Sequence, residues 1–201
     1  LGLEARATVR FTPNSRFAYS VKFTYRYYPD STMVELIPEY LFTRDKIKEH
    51  RLAMKSRVKK LALLAEKLSE KEKELFIHDF IVKNVKYDKL KKEYSHEIIG
   101  ALGNGVAVCE GMAKAVKILC DELGIWCIVA LSDANPDKGI KYRHAWNVIR
   151  IDGKYYHLDV TFDNTLSRDD AVRYDYVNLA DKQIFRDHEP VIWKVPECTD
   201  S

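Results

Sequence analysis

Three residues in the second half of the chain have side chains that together could carry out acyl transfer: Cys109, His144 and Asp159. A thiolate can attack an acyl carbon, an imidazolium can hold that thiolate and protonate a leaving amine, and a carboxylate can fix the imidazole tautomer. Each residue alone has an ordinary structural explanation, in packing or in capping a turn. The chemical hypothesis therefore depends on the elements that bring the three together.

Cys109 is predicted to begin a helix that ends near Leu123. The apolar residues after the cysteine recur at helical spacing, and Gly124 supplies a left-handed C-terminal stop. The first turn of a helix has free backbone N–H groups and the positive end of the helix dipole. A cysteine at this position is therefore favoured as a thiolate.

The other cysteines are Cys120, Cys127 and Cys198, and the chain contains no C-x-x-C pair. This spacing indicates neither a dense disulfide framework nor a structural zinc site. Cys120 falls on the apolar stripe of the predicted helix and Cys127 lies in an apolar run, so both are interpreted as small buried hydrophobic residues. We expect the site to use no metal and no cofactor.

His144 and Asp159 are predicted to lie on the two strands of one hairpin. Asp152-Gly153 is a strong signal for a two-residue turn, and the second strand is predicted over Lys154–Phe162. Counting back from this turn places Trp146 opposite Asp159 and makes His144 a diagonal neighbour of that carboxylate, about 7 to 8 Å away at the backbone. The opposite face of the hairpin is apolar and is expected to face the core.

The chain before the cysteine helix is predicted to be β-rich up to residue 42 and helical after it. Residues 18–28 alternate with period two, residues 29–31 form a turn, and residues 33–37 form a short second strand.

Two helices are predicted next. Thr43 caps a helix that extends to about residue 67. Ser69 and Glu72 form a capping box, which begins a second helix that ends near Val85. A strand over residues 126–132 follows the cysteine helix.

Composition narrows the class of protein. Of 201 residues, 46% are hydrophobic and 31% are charged, and the net charge is +3, a balance that argues against a nucleic-acid partner. No stretch approaches the roughly 18 consecutive apolar residues of a membrane span. We expect residues 1–201 to form a single domain, in which a β-rich segment over residues 1–42 packs on a catalytic core over residues 43–190.

Three segments closely resemble the transglutaminase-like superfamily in its bacterial branch: Gly105-Val106-Ala107-Val108-Cys109-Glu110-Gly111-Met112-Ala113, His144-Ala145-Trp146-Asn147-Val148, and Tyr155-Tyr156-His157-Leu158-Asp159-Val160-Thr161-Phe162-Asp163. Segments around Tyr87-Asp88 and Asp187-His188 are similar too, so the resemblance spans about residues 70–189. It implies a papain-like α+β fold, in which the nucleophile lies on a central helix packed against an antiparallel sheet that carries the His and the Asp. Those roles fall on Cys109, His144 and Asp159.

The resemblance leaves several positions open. The calcium-dependent animal enzymes have a tryptophan upstream of the cysteine as oxyanion donor, whereas no Trp precedes Trp126 here, so calcium dependence is not implied. Tyr87 is the first oxyanion candidate, with a packing role as the equal alternative. Trp146 is expected to shield the ion pair or to line a substrate groove.

The remaining histidines receive lesser roles. His157 lies on the same predicted hairpin face as Asp159 and could compete for it, but it is assigned a supporting role. His78, His96 and His188 could line the cleft, but each is interpreted first as a structural residue.

The function expected from the resemblance is thiol-dependent hydrolysis or acyl transfer at amide bonds of peptide or protein substrates, with hydrolysis favoured over cross-linking. The alternative is a catalytically silent module that binds cell-surface peptides or glycans through Tyr-rich segments. Because the chain begins at Leu1 rather than Met, we expect a fragment or processed form, acting outside the cytoplasm or at the surface of a bacterium.

Overall fold

The computed structural model describes residues 21–28, 34–167 and 171–199. Its strands are β1 (Val21–Tyr27), β2 (Val34–Tyr40), β3 (Lys86–Tyr87), β4 (Val106–Ala107), β5 (Cys127–Ser132), β6 (His144–Ile151) and β7 (Lys154–Leu158). Its α-helices are α1 (Arg44–Ala65), α2 (Glu70–Asn84), α3 (Cys109–Glu122), α4 (Val160–Leu166) and α5 (Asp181–Ile184). A 3₁₀ turn spans Glu93–His96 and a π-helix spans Ile99–Asn104. None of these described helices has the length and apolar composition needed to cross a membrane.

Two paired strands make up the described part of the N-terminal region. Strand β1 pairs antiparallel with β2, from Val21 opposite Tyr40 to Tyr27 opposite Val34. The predicted strands are therefore confirmed where this region is described, whereas the predicted turn at 29–31, Met33 and residues 1–20 lie outside the described residues. The single domain over residues 1–201 stays a prediction.

Both predicted helix starts are confirmed by their caps. The Thr43 hydroxyl accepts a hydrogen bond from the backbone N–H of Lys46. Ser69 and Glu72 make both bonds of the capping box. These caps satisfy N–H groups that would otherwise lack a partner inside the helix.

Helix α3 lies at the centre of the molecule and packs against a three-stranded antiparallel sheet of order β5-β6-β7. The helix contributes Met112, Val116 and Leu119 to the main hydrophobic core, where they meet Ile149 and Leu158 of the sheet. The α+β fold predicted from the resemblance is thus confirmed.

The turn between β6 and β7 also has the predicted form. Asp152 and Gly153 have φ values of 49° and 85°, the left-handed pair that a two-residue hairpin turn requires. Ile151 pairs with Lys154, and the ladder continues to Asn147 opposite Leu158.

The second strand of this hairpin is shorter than predicted, because the chain turns into helix α4 after Leu158. The prediction of a strand through Phe162 was wrong. Asp159 is the N-cap of α4, and its Oδ1 accepts the backbone N–H groups of Thr161 at 2.8 Å and Phe162 at 3.1 Å. The alternating residues Val160 and Phe162 resemble a strand, but the capping carboxylate stabilises a helix.

Residues 86–108, which precede Cys109, form a compact loop region that packs against α3. Strands β3 and β4 are parallel and place Tyr87 opposite Ala107. The Asp88 carboxylate accepts the backbone N–H groups of Leu90 and Lys92 and the Ser95 hydroxyl. The loop that Asp88 organises therefore lies against the beginning of the central helix.

The C-terminal segment, residues 171–199, is attached to the sheet at several points. The backbones of His157 and Leu179 exchange hydrogen bonds, and the Asp159 N–H donates to the Tyr176 carbonyl. Ser132 of β5 bridges to Val191. This wrapping brings side chains from late in the chain next to the end of the hairpin.

Candidate active site

His144 and Asp159 are in direct polar contact, with 2.6 Å between His144 Nε2 and Asp159 Oδ2. His144 is the first residue of β6, and Asp159 caps α4 at the same end of the hairpin. The Asp159 carboxylate is fully buried, whereas the His144 side chain is 18% exposed. The predicted proximity is therefore present, although it arises from a helix cap and not from a diagonal strand pair.

The Cys109 thiol lies beside the His144 imidazole and contributes to the raised pKa of that ring. Because Nε2 of the imidazole is bound to Asp159, Nδ1 is the ring nitrogen left for the thiol. Cys109 is the first residue of α3, whose N-terminus receives no side-chain cap. Of the four cysteines, Cys109 is partly exposed and the others are buried.

The pKa values within the triad are displaced in opposite directions. Burial alone would lower the pKa of His144, but the charge and hydrogen bond of Asp159, with a smaller contribution from Cys109, raise it to about 10. Burial alone would raise the pKa of Asp159, but His144 and then His188 hold it well below its usual range. The arrangement therefore favours an imidazolium that bridges a carboxylate and a thiol.

The residue after the cysteine, Glu110, could oppose a thiolate through its own negative charge. Its carboxylate is bound by Lys114 at 2.8 Å and by His96 Nδ1 at 3.0 Å. Burial alone would raise the pKa of Glu110, and these two partners lower it below its usual value. His96 and Lys114 thus offset a carboxylate that lies beside the nucleophile, which gives His96 an electrostatic role at the edge of the site.

Tyr87, the oxyanion candidate, is half-buried, and the charge of Cys109 contributes to the pKa of its hydroxyl. Burial, followed by the charges of Cys109 and Asp88, raises the pKa of the Tyr87 hydroxyl. A phenol with a raised pKa keeps its proton and can donate it in a hydrogen bond. The position suits an oxyanion donor, and this role stays a prediction.

Trp146 is 1% exposed, so in this structure it has no surface to offer a substrate. Its indole stacks on the His144 ring with 5.8 Å between centroids and 17° between planes. The expected substrate contact therefore finds no support in the structure. Trp146 instead covers one face of the imidazole and excludes water from it.

His157 hydrogen-bonds Trp146 and Asp181, and it makes no hydrogen bond to Asp159 in the described structure. Its Nδ1 accepts the indole N–H of Trp146 at 2.9 Å, and its Nε2 lies 2.8 Å from Asp181 Oδ1. Both ring nitrogens are thus occupied by other partners, and the chain Asp181–His157–Trp146 ends on the face of His144.

His188 is a site residue that the sequence analysis interpreted first as structural. Its Nε2 lies 2.9 Å from Asp159 Oδ2, the same oxygen that binds His144. Its other nitrogen, Nδ1, lies 2.6 Å from Asp187 Oδ1. The similarity of Asp187-His188 to the family pattern was the available signal, but nothing in the linear spacing links residue 188 to residue 159. His78, in contrast, is a buried residue of α2 that binds Asp163 of α4 at 3.1 Å.

Two groups of three side chains among the described residues bring possible metal ligands within 4.8 Å of one another: His144, Asp159 and His188, and His157, Asp181 and Cys198. In both groups the histidine nitrogens already hydrogen-bond carboxylates. In the second group, the Trp146 N–H donates to Nδ1 of His157, so a neutral His157 carries its proton on Nε2, where a metal would have to bind. The hydrogen-bond pattern therefore suits a proton network better than a metal centre.

Comparison with known proteins gives a match in one family. The model of the transglutaminase-like superfamily matches residues 59–160. No curated protein sequence matches the chain.

Solved structures that match part of this chain include a protein described as a TGase, with 12% identity and a TM-score of 0.47 over 67% of this chain and 36% of that one. A candidate cysteine protease from Cytophaga hutchinsonii has 26% identity and a TM-score of 0.41, covering 52% of this chain and 37% of its own. A candidate protease from Parabacteroides distasonis has 17% identity and a TM-score of 0.38, covering 71% and 36%. The chain thus spans little more than a third of the length of each of these proteins.

Proposed function

The chain belongs to the transglutaminase-like superfamily, and from that premise we propose that it cleaves or transfers acyl groups at amide bonds of peptides or proteins through a thioester on Cys109. The observation that carries the proposal is that the partly exposed Cys109 lies beside His144, whose ring is bound to the buried Asp159 carboxylate at 2.6 Å. A thiol at the accessible end and a fixed negative charge at the buried end are what a cysteine nucleophile needs.

In the first half of the reaction, the Cys109 thiolate attacks the carbonyl carbon of a bound amide and forms a tetrahedral intermediate. The new oxyanion accepts hydrogen bonds from the backbone N–H of Cys109 and from the Tyr87 hydroxyl. When the intermediate collapses, the C–N bond breaks and the His144 imidazolium gives its proton to the leaving amine. The products are an acyl-thioester and a neutral His144.

In the second half, a nucleophile resolves the thioester. Neutral His144 removes a proton from water, the resulting hydroxide attacks the acyl carbon, and the carboxylic acid leaves as the Cys109 thiolate and the His144 imidazolium are restored. A primary amine in place of water would give transamidation. We favour hydrolysis because water needs no dedicated binding site.

Asp159 supports both halves without changing its own protonation. Its charge stabilises the imidazolium and its hydrogen bond to Nε2 directs Nδ1 towards the thiol. Because Trp146 covers one face of His144, the pair is partly shielded from water, which strengthens the electrostatic interaction.

The first test is selective labelling of the nucleophile. Iodoacetamide at neutral pH is expected to modify Cys109 well before the buried Cys120 and Cys127, with the sites assigned by mass spectrometry. Cys120→Ala should leave this labelling unchanged and serves as the matched control. Equal labelling of all three cysteines in the folded protein would contradict the proposal.

The second test separates the enzyme from a silent binding module and identifies the chemistry. Incubation with a peptide library should give an acyl adduct on Cys109 that mass spectrometry detects after acid quenching, and Cys109→Ala should give none. If the adduct decays to free acid in the presence of a primary amine, hydrolysis is supported, whereas formation of an amide product indicates transamidation. Reversible binding of peptides without any adduct would favour the silent module.

A further inference from the structure

Asp159 Oδ2 is bound by two imidazoles, His144 at 2.6 Å and His188 at 2.9 Å. We propose that His188 is a positioning residue of the proposed enzyme: by sharing the Asp159 charge, it sets the pH range over which the His144 imidazolium persists. The inference rests on the proposed function, since it concerns the thiolate–imidazolium pair.

The two oxygens of Asp159 have different partners. Oδ1 accepts two backbone N–H groups, from Thr161 and Phe162, and these bonds fix the orientation of the carboxylate at the start of α4. Oδ2 is left for the two histidines. Removal of His188 therefore changes the charge available to His144 more than it changes the position of the carboxylate.

His188 is held in a closed aromatic environment, with its side chain 1% exposed. The ring lies 4.5 Å from that of Phe162 and 5.1 Å from that of Trp146, measured between centroids. On its far side, Nδ1 binds Asp187, which also accepts a hydrogen bond from the Tyr176 hydroxyl. A buried imidazole fixed in this way acts on the site through Asp159 and not through contact with a substrate.

The direction of the effect follows from the charges that face His144. These are Asp159 from α4, Cys109 from α3, and the His188 ring at 5.2 Å between centroids from the C-terminal segment. Asp187 and Tyr176 lie behind His188. If His188 is neutral, its removal takes a donor from Asp159, and if it is charged, its removal also takes a positive charge away from His144. Both changes stabilise the His144 imidazolium.

The position of His188 in the chain gives the C-terminal segment a role in the chemistry. The matched family segment ends at residue 160, and His188 lies 28 residues beyond it. The segment is tied to the hairpin by the bond from the Asp159 N–H to the Tyr176 carbonyl at 2.9 Å. Residues 171–199 thus supply a group that acts on the triad itself.

The test uses the full chain and two substitutions that differ in one property. His188→Phe fills the same space but has no N–H donor, whereas His188→Gln keeps an amide donor that can reach Asp159. The readout is the rate of Cys109 carboxymethylation by short pulses of iodoacetate between pH 5 and 11, measured by mass spectrometry. The imidazolium attracts this anionic reagent, so the rate per thiolate falls when His144 loses its proton.

His188→Phe is expected to move the alkaline limb of this profile upwards by about 0.5 to 1 pH unit, and His188→Gln, which keeps a donor to Asp159, to move it by less. Thermal unfolding checks that both variants are folded, and His188→Met replaces the Phe variant if that one does not fold. An unchanged or lowered limb in the donor-free variant, or equal shifts in both variants, would overturn the inference. If the unmodified protein shows no selective labelling of Cys109 at any pH, the proposed function fails instead.

Discussion

At the scale of single residues, Asp159 is the fixed charge to which the other groups of the site respond. It accepts four hydrogen bonds, two from backbone N–H groups and two from imidazoles. A carboxylate with this many donors stays ionised even when it is fully buried. The high pKa of His144 is a consequence of that charge.

The roles of the three residues can be separated by substitution. Cys109→Ala should abolish covalent labelling and leave the fold intact, because only a small side chain is removed. His144→Ala should slow iodoacetamide labelling of Cys109 near neutral pH, because the cation that stabilises the thiolate is lost. Asp159→Asn should reduce turnover of an identified substrate by up to about 10⁴-fold, because the imidazole is then held in the wrong tautomer.

His157→Gln is the matched control for these substitutions, because glutamine can still accept from Trp146 and donate to Asp181. Labelling rates of Cys109 are measured from pH 5 to 9 for the three variants that retain this cysteine. A large effect of His157→Gln together with no effect of His144→Ala would mean that the wrong histidine has been assigned to the thiol.

The pH dependence has a defined direction. The imidazolium is present below the His144 pKa of about 10 and is lost above it. We therefore expect iodoacetate labelling of Cys109 to decline on the alkaline side near pH 10. A decline near pH 6.5, the ordinary value for histidine, would show that the Asp159 charge does not reach His144.

At the scale of secondary-structure elements, the first turn of α3 depends on a close approach that only glycine permits. A Cβ on Gly111 would lie 2.2 Å from the backbone oxygen of Ser95 and 3.1 Å from the Cβ of Ala107. Both neighbours are fixed, Ser95 by Asp88 and Ala107 by its strand pairing. Backbone atoms held in this way cannot yield to an added methyl group.

Gly111→Ala should therefore destabilise the fold by about 1 to 3 kcal/mol and displace the loop that lies beside Cys109. Urea unfolding measures the free energy of unfolding, and iodoacetamide labelling reports on the site. Gly103→Ala is the control, because the nearest atom there is the flexible end of Ile99 at 2.7 Å, which can move aside. Equal stability of the two variants would contradict the close approach.

At the scale of the whole molecule, a hydrogen bond between Glu74 and Asn178 connects the helical core to the C-terminal segment. Burial of the Glu74 carboxylate lowers the stability of the fold when that group is ionised. Glu74 is fully buried in α2, accepts a hydrogen bond from Asn178 at 2.9 Å through Oε2, and has no partner for Oε1 among the described residues. Burial raises the pKa of Glu74 to about 7. The folded protein therefore binds a proton here that the unfolded chain releases near pH 4.5.

Because the folded state holds more protons between these two values, stability should fall as the pH rises from about 4.5 to 7. Glu74→Gln removes this dependence and should raise the free energy of unfolding at pH 7.5 by up to about 3 kcal/mol relative to the same substitution measured at pH 4.5. Urea titrations at both pH values measure it, with exposed Glu66→Gln as control. A gain that is the same at both pH values would exclude Glu74 as the titrating group.

The sequence by itself determined the local elements and the identity of the triad candidates. The helix starts at Thr43 and Ser69 depend on side chains that bond their own neighbouring backbone. The turn at Asp152-Gly153 depends on two residues that accept positive φ values, and the start of the helix at Cys109 follows from the apolar spacing after it. Such signals are contained in a few consecutive residues, so they can be read without knowing the fold. The motifs around Cys109, His144 and Asp159 also indicated the family.

The tertiary structure decided which groups surround the triad. Asp159 alternates with apolar residues like a strand residue, yet it caps α4, since its carboxylate can bind two N–H groups only when the chain turns there. Trp146 is buried because the C-terminal segment covers its side of the sheet. His188 of that segment packs against the indole, and Asp181 binds His157 beside it. Contacts between residues 159 and 188 depend on how distant segments pack, and no local pattern records that packing.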